Sequence, residues 1–209
     1  MALPEFEDLP FYERPDLTPY LVHLTKNTRK EDGFSAFENL VNILEEGKIR
    51  GSKSSKGFIK GPRRASCFMD VPFSALKYVL NPRDRDAENP RYEPYGIVVT
   101  KKYAHRMGCR PVLYLADDET RTLGIPSDEL WRVVRFEVTG EGWISWLHER
   151  EWRCRGSFEL PERLVAVLVK TVTEVEKLTA LIQEHDEEFA SVPRSIIPLT
   201  IICQGMLKR

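Results

Sequence analysis

Tyr20-Leu21-Val22-His23-Leu24-Thr25, Ser35-Ala36-Phe37-Glu38-Asn39-Leu40-Val41-Asn42-Ile43-Leu44-Glu45-Glu46-Gly47 and Ser66-Cys67-Phe68-Met69-Asp70 follow one another early in the chain, and their order decides the fold. The first, an apolar run carrying one histidine, reads as a strand. In the second, Phe37, Leu40, Val41 and Leu44 recur at helical spacing. Ser35 and Glu38 form a capping box there, and Gly47 is a C-terminal stop. The third reads as a buried strand, after which Pro72 opens a short helix over Phe73 to Leu80.

Outward from this block the pattern predicts strands at Tyr95 to Thr100, Arg110 to Leu115, Glu149 to Arg155, Leu164 to Lys170 and Ile196 to Cys203. Pro111 argues that the second of these begins at an edge. Lys101 to Met107 forms one or two helical turns before Gly108, and Thr173 to Glu188 is a helix capped by Thr173 and Glu176. Periodicity does not settle residues 130 to 138. Residues 81 to 94, with three prolines and alternating charges, read as an exposed excursion or a partner-facing loop. Short strands with helices concentrated early and late define an α+β domain rather than alternating βαβ units. We expect an irregular arm over residues 1 to 19 and one domain over 20 to 209. No G-x-G-x-x-G follows a strand and no P-loop occurs, so neither nucleotide-binding signature is supported.

With 209 residues, 42% hydrophobic and 30% charged, the composition is that of one ordinary soluble domain. A formal charge of -1 argues against nucleic-acid binding through the global field. A local basic surface is another matter: residues 48 to 64 hold Lys48, Arg50, Lys53, Lys56, Lys60, Arg63 and Arg64 with no acid. This segment reads either as a solvated loop or as a contact for the phosphates of a dinucleotide or a polynucleotide. Cys67, Cys109, Cys154 and Cys203 lie too far apart for a C-x-x-C motif, and no metal site is expected. Met1 to Asp16 is acidic and carries no export signal, and no apolar run approaches the ~20 residues that span a bilayer. A cytoplasmic protein without membrane contact is the expectation.

His148-Glu149-Arg150-Glu151-Trp152-Arg153 carries the chemistry. If this segment is extended, Glu149, Glu151 and Arg153 line one face, with the two carboxylates about 7 Å apart. Such a pair is costly unless a cation, a donor or a substrate hydroxyl compensates it, and it suits stabilisation of positive charge in a transition state. A salt-bridged edge strand, with the acids answered by Arg150, Arg153 and Arg155, is the plainer alternative. A lone histidine such as His23 is more often a satisfied core or edge residue than a catalytic group, Phe68 more often a core ring than a stacking platform, and Trp143, Trp146 and Trp152 are packing groups or ring faces for a base.

Taken together, the His23 strand, the helix ending Ile43-Leu44-Glu45-Glu46-Gly47-Lys48-Ile49, the phrase Cys67-Phe68-Met69-Asp70-Val71-Pro72 and the late Glu149-Arg150-Glu151-Trp152-Arg153 resemble ADP-ribosyltransferase-fold proteins. The likeness is to the DarT-type DNA-modifying toxins and to the AbiGi-like abortive-infection proteins, over about Tyr20 to Lys170. It implies a split mixed β-sheet core with flanking helices, NAD as substrate and no metal. His23 then holds a ribose hydroxyl of NAD, and Thr25 contacts the nicotinamide end. Phe68 stands where this fold commonly has a tyrosine, as the stacking ring. Glu151 is the catalytic glutamate, with Glu149 orienting or deprotonating the acceptor. Arg153 holds the pyrophosphate or pairs with both carboxylates, and Arg64 of the basic segment is a further NAD contact.

The resemblance implies an NAD-dependent ADP-ribosyltransferase or NAD-consuming enzyme, a phage-defence toxin acting on nucleic acid. Its alternative is a non-catalytic module of that fold, serving as binding or antitoxin partner of a cognate protein. A metal-independent nuclease using His23 as acid-base is the third reading. In the first, His23 and Glu151 are expected to meet across one cleft.

Overall fold

The computed structural model describes residues 14–28, 33–52, 58–80, 92–140, 142–204 and 207. Helix α1 (Ala36–Glu46) forms as its spacing requires. The Ser35 hydroxyl accepts the Glu38 N–H at 3.2 Å, and Glu38 Oε2 accepts the Ser35 N–H at 2.6 Å. Two backbone donors at the helix start are thereby satisfied. Gly47 ends the helix at φ 62°, where a side chain would also meet Ala190 Cβ at 3.0 Å.

Seven strands make the main sheet: β1 (Tyr20–Leu24), β2 (Ala65–Met69), β3 (Gly96–Thr100), β4 (Arg110–Pro111), β5 (Glu151–Arg155), β6 (Ala166–Val169) and β7 (Ile196–Pro198). Their spatial order is β7-β6-β3-β1-β2-β5-β4. Among the described residues of this sheet only β6 and β7 pair in parallel, joined through helix α3 (Val172–Glu184). The sheet is therefore mixed, with helices packed on both sides, and the domain is α+β.

Pairing is uneven across this sheet. β1 and β3 are in register over five residue pairs, as are β2 and β5, whereas β1 and β2 share the single registered pair Val22↔Met69. A four-strand half and a three-strand half thus meet at one pair. Alternation sends Leu21, Phe68, Ile97 and Val167 to the face covered by α1 and α3, where Leu40, Leu44 and Leu178 meet them. Val22, Met69, Val98 and Leu168 face the opposite layer with Leu76 of helix α2 (Leu76–Val79), Leu80 and Leu199.

Local pattern reading fails where tertiary partners intervene. Arg110 to Leu115 is not one strand: Val112 N–H turns to the Glu151 carbonyl at 3.0 Å, and Leu113–Leu115 pairs in parallel with Val133–Arg135. Helix α3 starts earlier than expected, with Thr171 as cap and Glu174 as its box partner. Two overlapping T-x-x-E boxes compete here, and the upstream one lies directly after β6. Ile196 to Cys203 divides into β7 and the helix Leu199–Ile202, because Pro198 ends the strand pairing. Of the 81–94 excursion, only Tyr92, Glu93 and Pro94 fall within the described residues. No helix among the described residues is long and apolar enough to cross a membrane.

Candidate functional site

Glu149 does not lie on a strand with Glu151. Leu147–Glu149 is a 3-10 turn, closed by Glu149 N–H to the Trp146 carbonyl and Arg150 N–H to the Leu147 carbonyl, each at 3.1 Å. Arg150 then takes the left-handed conformation at φ 47° and ψ 51°, and β5 begins only at Glu151. This conformation costs a non-glycine residue about 1–2 kcal/mol, so something must hold it. Asp70, directly after β2, does so with main chain and side chain. Its N–H donates to the carbonyls of Glu149 at 3.2 Å and Arg150 at 3.3 Å, and its Oδ1 accepts Arg150 Nη2 at 3.1 Å.

Both glutamates are nevertheless buried, Glu149 at 5% and Glu151 at 8% exposure. The Tyr92 hydroxyl donates to Glu149 Oε1 at 2.6 Å, and the Glu151 N–H donates to the Tyr114 hydroxyl at 2.9 Å. Glu151 sits in the row Val22–Met69–Glu151, which crosses the junction of the two half-sheets. Its carboxylate is gripped by Arg153, Nε to Oε1 at 2.8 Å and Nη2 to Oε2 at 3.1 Å. Arg153 also donates to the carbonyls of Trp131 at 2.8 Å, Val133 at 3.4 Å and Phe58 at 3.5 Å. The guanidinium is 1% exposed and its donors are met within the chain. Beside this pair lies Cys67, whose thiol is pushed up by burial and further by the neighbouring Glu151 carboxylate.

The other residues singled out from sequence do not gather here. His23 pairs by alternation with the Phe68 face, 5.9 Å ring to ring, while Glu151 and Arg153 project from the opposite face with Met69 and Cys67. The expectation that His23 and Glu151 meet across one cleft is therefore corrected, because the register places them an odd step apart. The His23 ring bridges β1 and β2, with Nδ1 2.8 Å from the Cys67 carbonyl. Burial lowers its pKa, against the opposing effect of that carbonyl. The Thr25 hydroxyl donates to the Ala36 carbonyl at 2.9 Å, and Phe68 packs on Phe158 at 4.8 Å with 2% exposure. Arg64 is exposed at the start of β2, five residues from Met69 and so roughly 16 Å along the strand.

In the basic segment, Lys48 pairs with Glu159 at 3.0 Å, Arg50 with Glu46 at 2.5 Å, Arg63 with Asp128 at 2.7 Å, and Lys60 with Asp117. These acids lie elsewhere in sequence, so the segment is less bare than its composition implied. Lys53 and Lys56 lie outside the described residues.

Several groups at the site went unseen in the sequence. Tyr92 and Tyr114 gave no signal, since each reaches the glutamates from a separate segment. Asp70 had one, its place in Cys67-Phe68-Met69-Asp70-Val71-Pro72. An aromatic arc also borders Glu149: Phe58 lies 5.5 Å from Trp146, Trp146 lies 6.1 Å from His148, and His148 Nε2 is 3.9 Å from Glu149 Oε1. Trp143 stands apart, 72% exposed on the hairpin Glu137–Thr139/Gly142–Ile144. No cluster of His, Cys, Asp and Glu able to hold a metal occurs among the described residues.

No family model and no curated protein matches the chain. Among solved structures, Thermus sp. 2.9 DarT in complex with NAD+ is similar at 12% identity and a TM-score of 0.47, over 87% of this chain and 96% of that one. The same protein in complex with ADP-ribosylated ssDNA gives 14% identity and a TM-score of 0.48, over 87% and 94%.

Proposed function

We propose that the chain is an NAD-dependent ADP-ribosyltransferase in which Glu151 is the carboxylate acting on the ribose. The observation that carries this reading is the burial of Glu149 and Glu151 on either side of a left-handed residue, with Glu151 in the row that joins β1, β2 and β5. Breaking the bond between nicotinamide nitrogen and ribose C1′ leaves positive charge on C1′ and the ring oxygen. An anion already fixed beside the 2′-hydroxyl lowers that barrier.

Arg153 fixes Glu151, and the bidentate pair uses one lone pair on each oxygen, leaving others for a hydroxyl. The nicotinamide leaves with the bonding electron pair, the acceptor forms its new bond at C1′, and Glu149 takes the acceptor proton. His23 enters this reading as the clasp between the half-sheets, not as a second catalytic group. The acceptor is a nucleic acid whose phosphates meet the 48–64 segment, and the setting is a cytoplasmic phage-defence toxin. The four sequence phrases that resemble ADP-ribosyltransferase-fold proteins support the same reading.

The test is incubation with NAD and, separately, DNA, RNA or protein, following nicotinamide release and transfer of label. Release should fall about 100-fold or more in Glu151→Gln. No release with any acceptor, or undiminished release in Glu151→Gln, overturns the proposal.

One observation favours a second reading, a non-catalytic module paired with a cognate toxin or antitoxin. Of the five residues expected to touch NAD, Thr25, Phe68 and Arg153 are committed inside the fold. Calorimetry separates the two, since such a module binds NAD without turnover or not at all.

A further inference from the structure

We infer that Asp70 is a positioning residue of this site, acting through Arg150 to set the relative placement of Glu149 and Glu151. The inference rests on the reading of these two glutamates as the reactive pair. Asp70 touches neither carboxylate in the contacts that define the turn; it grips the residue between them. Its N–H spans the carbonyls of Glu149 and Arg150, and its Oδ1 holds Arg150 Nη2 at 3.1 Å. Lys101 Nζ fixes the other oxygen, Oδ2, at 2.8 Å, and Asp70 and Lys101 are each 8% exposed. Arg150 Nη1 reaches onward to the Asp16 carbonyl at 2.5 Å, so the clamp also ties down the arm before β1.

The geometry explains why such a clamp matters. An extended residue at 150 would carry Glu149 into β5 as one more strand position. The left-handed conformation instead breaks the strand and turns Glu149 back to Tyr92, while Glu151 stays in register with Met69. Burial, and after it the charge of both carboxylates, pushes the Cys67 thiol and the Tyr114 phenol up. Arg150 and Gln204 are the non-glycine residues with positive φ among those described, and only Arg150 adjoins this site. Arginine has no preference for that conformation, so the hold has to come from its contacts.

The experiment is a double-mutant cycle of Asp70→Asn and Arg150→Gly in the full chain, because glycine adopts the left-handed conformation unaided. Asp70→Asn alone should lower kcat for nicotinamide release by about 10- to 100-fold with KM within about twofold, the signature of misplaced groups. In the Arg150→Gly background, the same substitution should cost less than about threefold. Arg150→Ala, which loses the guanidinium without easing the backbone, should fall below Arg150→Gly.

Amide exchange over residues 147–152 supplies a readout that needs no turnover. It should accelerate in Asp70→Asn but not further in the double variant, with β3 and β6 unchanged. Equal losses in both backgrounds, or wild-type kcat and exchange in Asp70→Asn, overturn the inference. A wild-type protein that releases no nicotinamide overturns the functional reading instead, and the exchange data then decide the clamp alone.

Discussion

Arg153 spends both edges of its guanidinium on Glu151, Nε at 2.8 Å to one oxygen and Nη2 at 3.1 Å to the other, with side-chain exposures of 1% and 9%. A pair this dry is worth little against an apolar substitute but is expensive to break from one side. Arg153→Met should therefore destabilise by about 3–5 kcal/mol, since it leaves Glu151 buried without its cation. The double variant Glu151→Leu/Arg153→Met should recover most of that loss in urea denaturation. A double variant as unstable as the single one would show that the pair is not the source of the cost.

Glu149 and Glu151 should separate kinetically. Glu149→Gln retains the anion beside the ribose and loses the proton acceptor, so transfer to an acceptor should drop about 100-fold or more. Nicotinamide release without acceptor should change far less. Parallel loss of both activities would place Glu149 with Glu151 in a single role.

His23 makes stability depend on pH. Its folded pKa is lowered, mainly by burial, so the unfolded chain binds the proton first as pH falls. Its contribution is complete above about pH 6.5, the unfolded value, and is lost as pH falls from there through the lowered folded value. His23→Asn, which keeps a donor for the Cys67 carbonyl, should flatten the pH dependence of the denaturation midpoint in that window. An unchanged slope would assign the dependence to other groups.

The cap of helix α3 distinguishes two neighbouring threonines. Thr171→Ala removes the hydroxyl that accepts Glu174 N–H at 3.3 Å and should cost about 1 kcal/mol. Thr173→Ala, inside the first turn, should stay within about 0.5 kcal/mol. Thermal melts of the two variants decide between the boxes, and a reversed order would restore the later start.

What could be read from the sequence is what short-range stereochemistry dictates. Ser35, Glu38 and Gly47 bound α1 because a capping box and a left-handed glycine act within a few residues. The apolar runs around Val22, Phe68 and Val98 became strands because burial on both faces of a sheet needs no more than local composition. The importance of Glu151 and Arg153 was visible too, since two residues apart on a strand they share a face.

Tertiary structure decided the remainder. Whether Glu151 shares a face with His23 depends on the register Val22↔Met69↔Glu151, and one step of register moves a side chain to the other side of a sheet. Whether Glu149 continues the strand or leaves it depends on Asp70, 80 positions upstream of Arg150, whose hold on Arg150 offsets a backbone conformation that no local pattern favours. The placements of Tyr92 and Tyr114 beside the glutamates belong to the same class, because contacts between distant segments are set by how the layers pack and not by propensity.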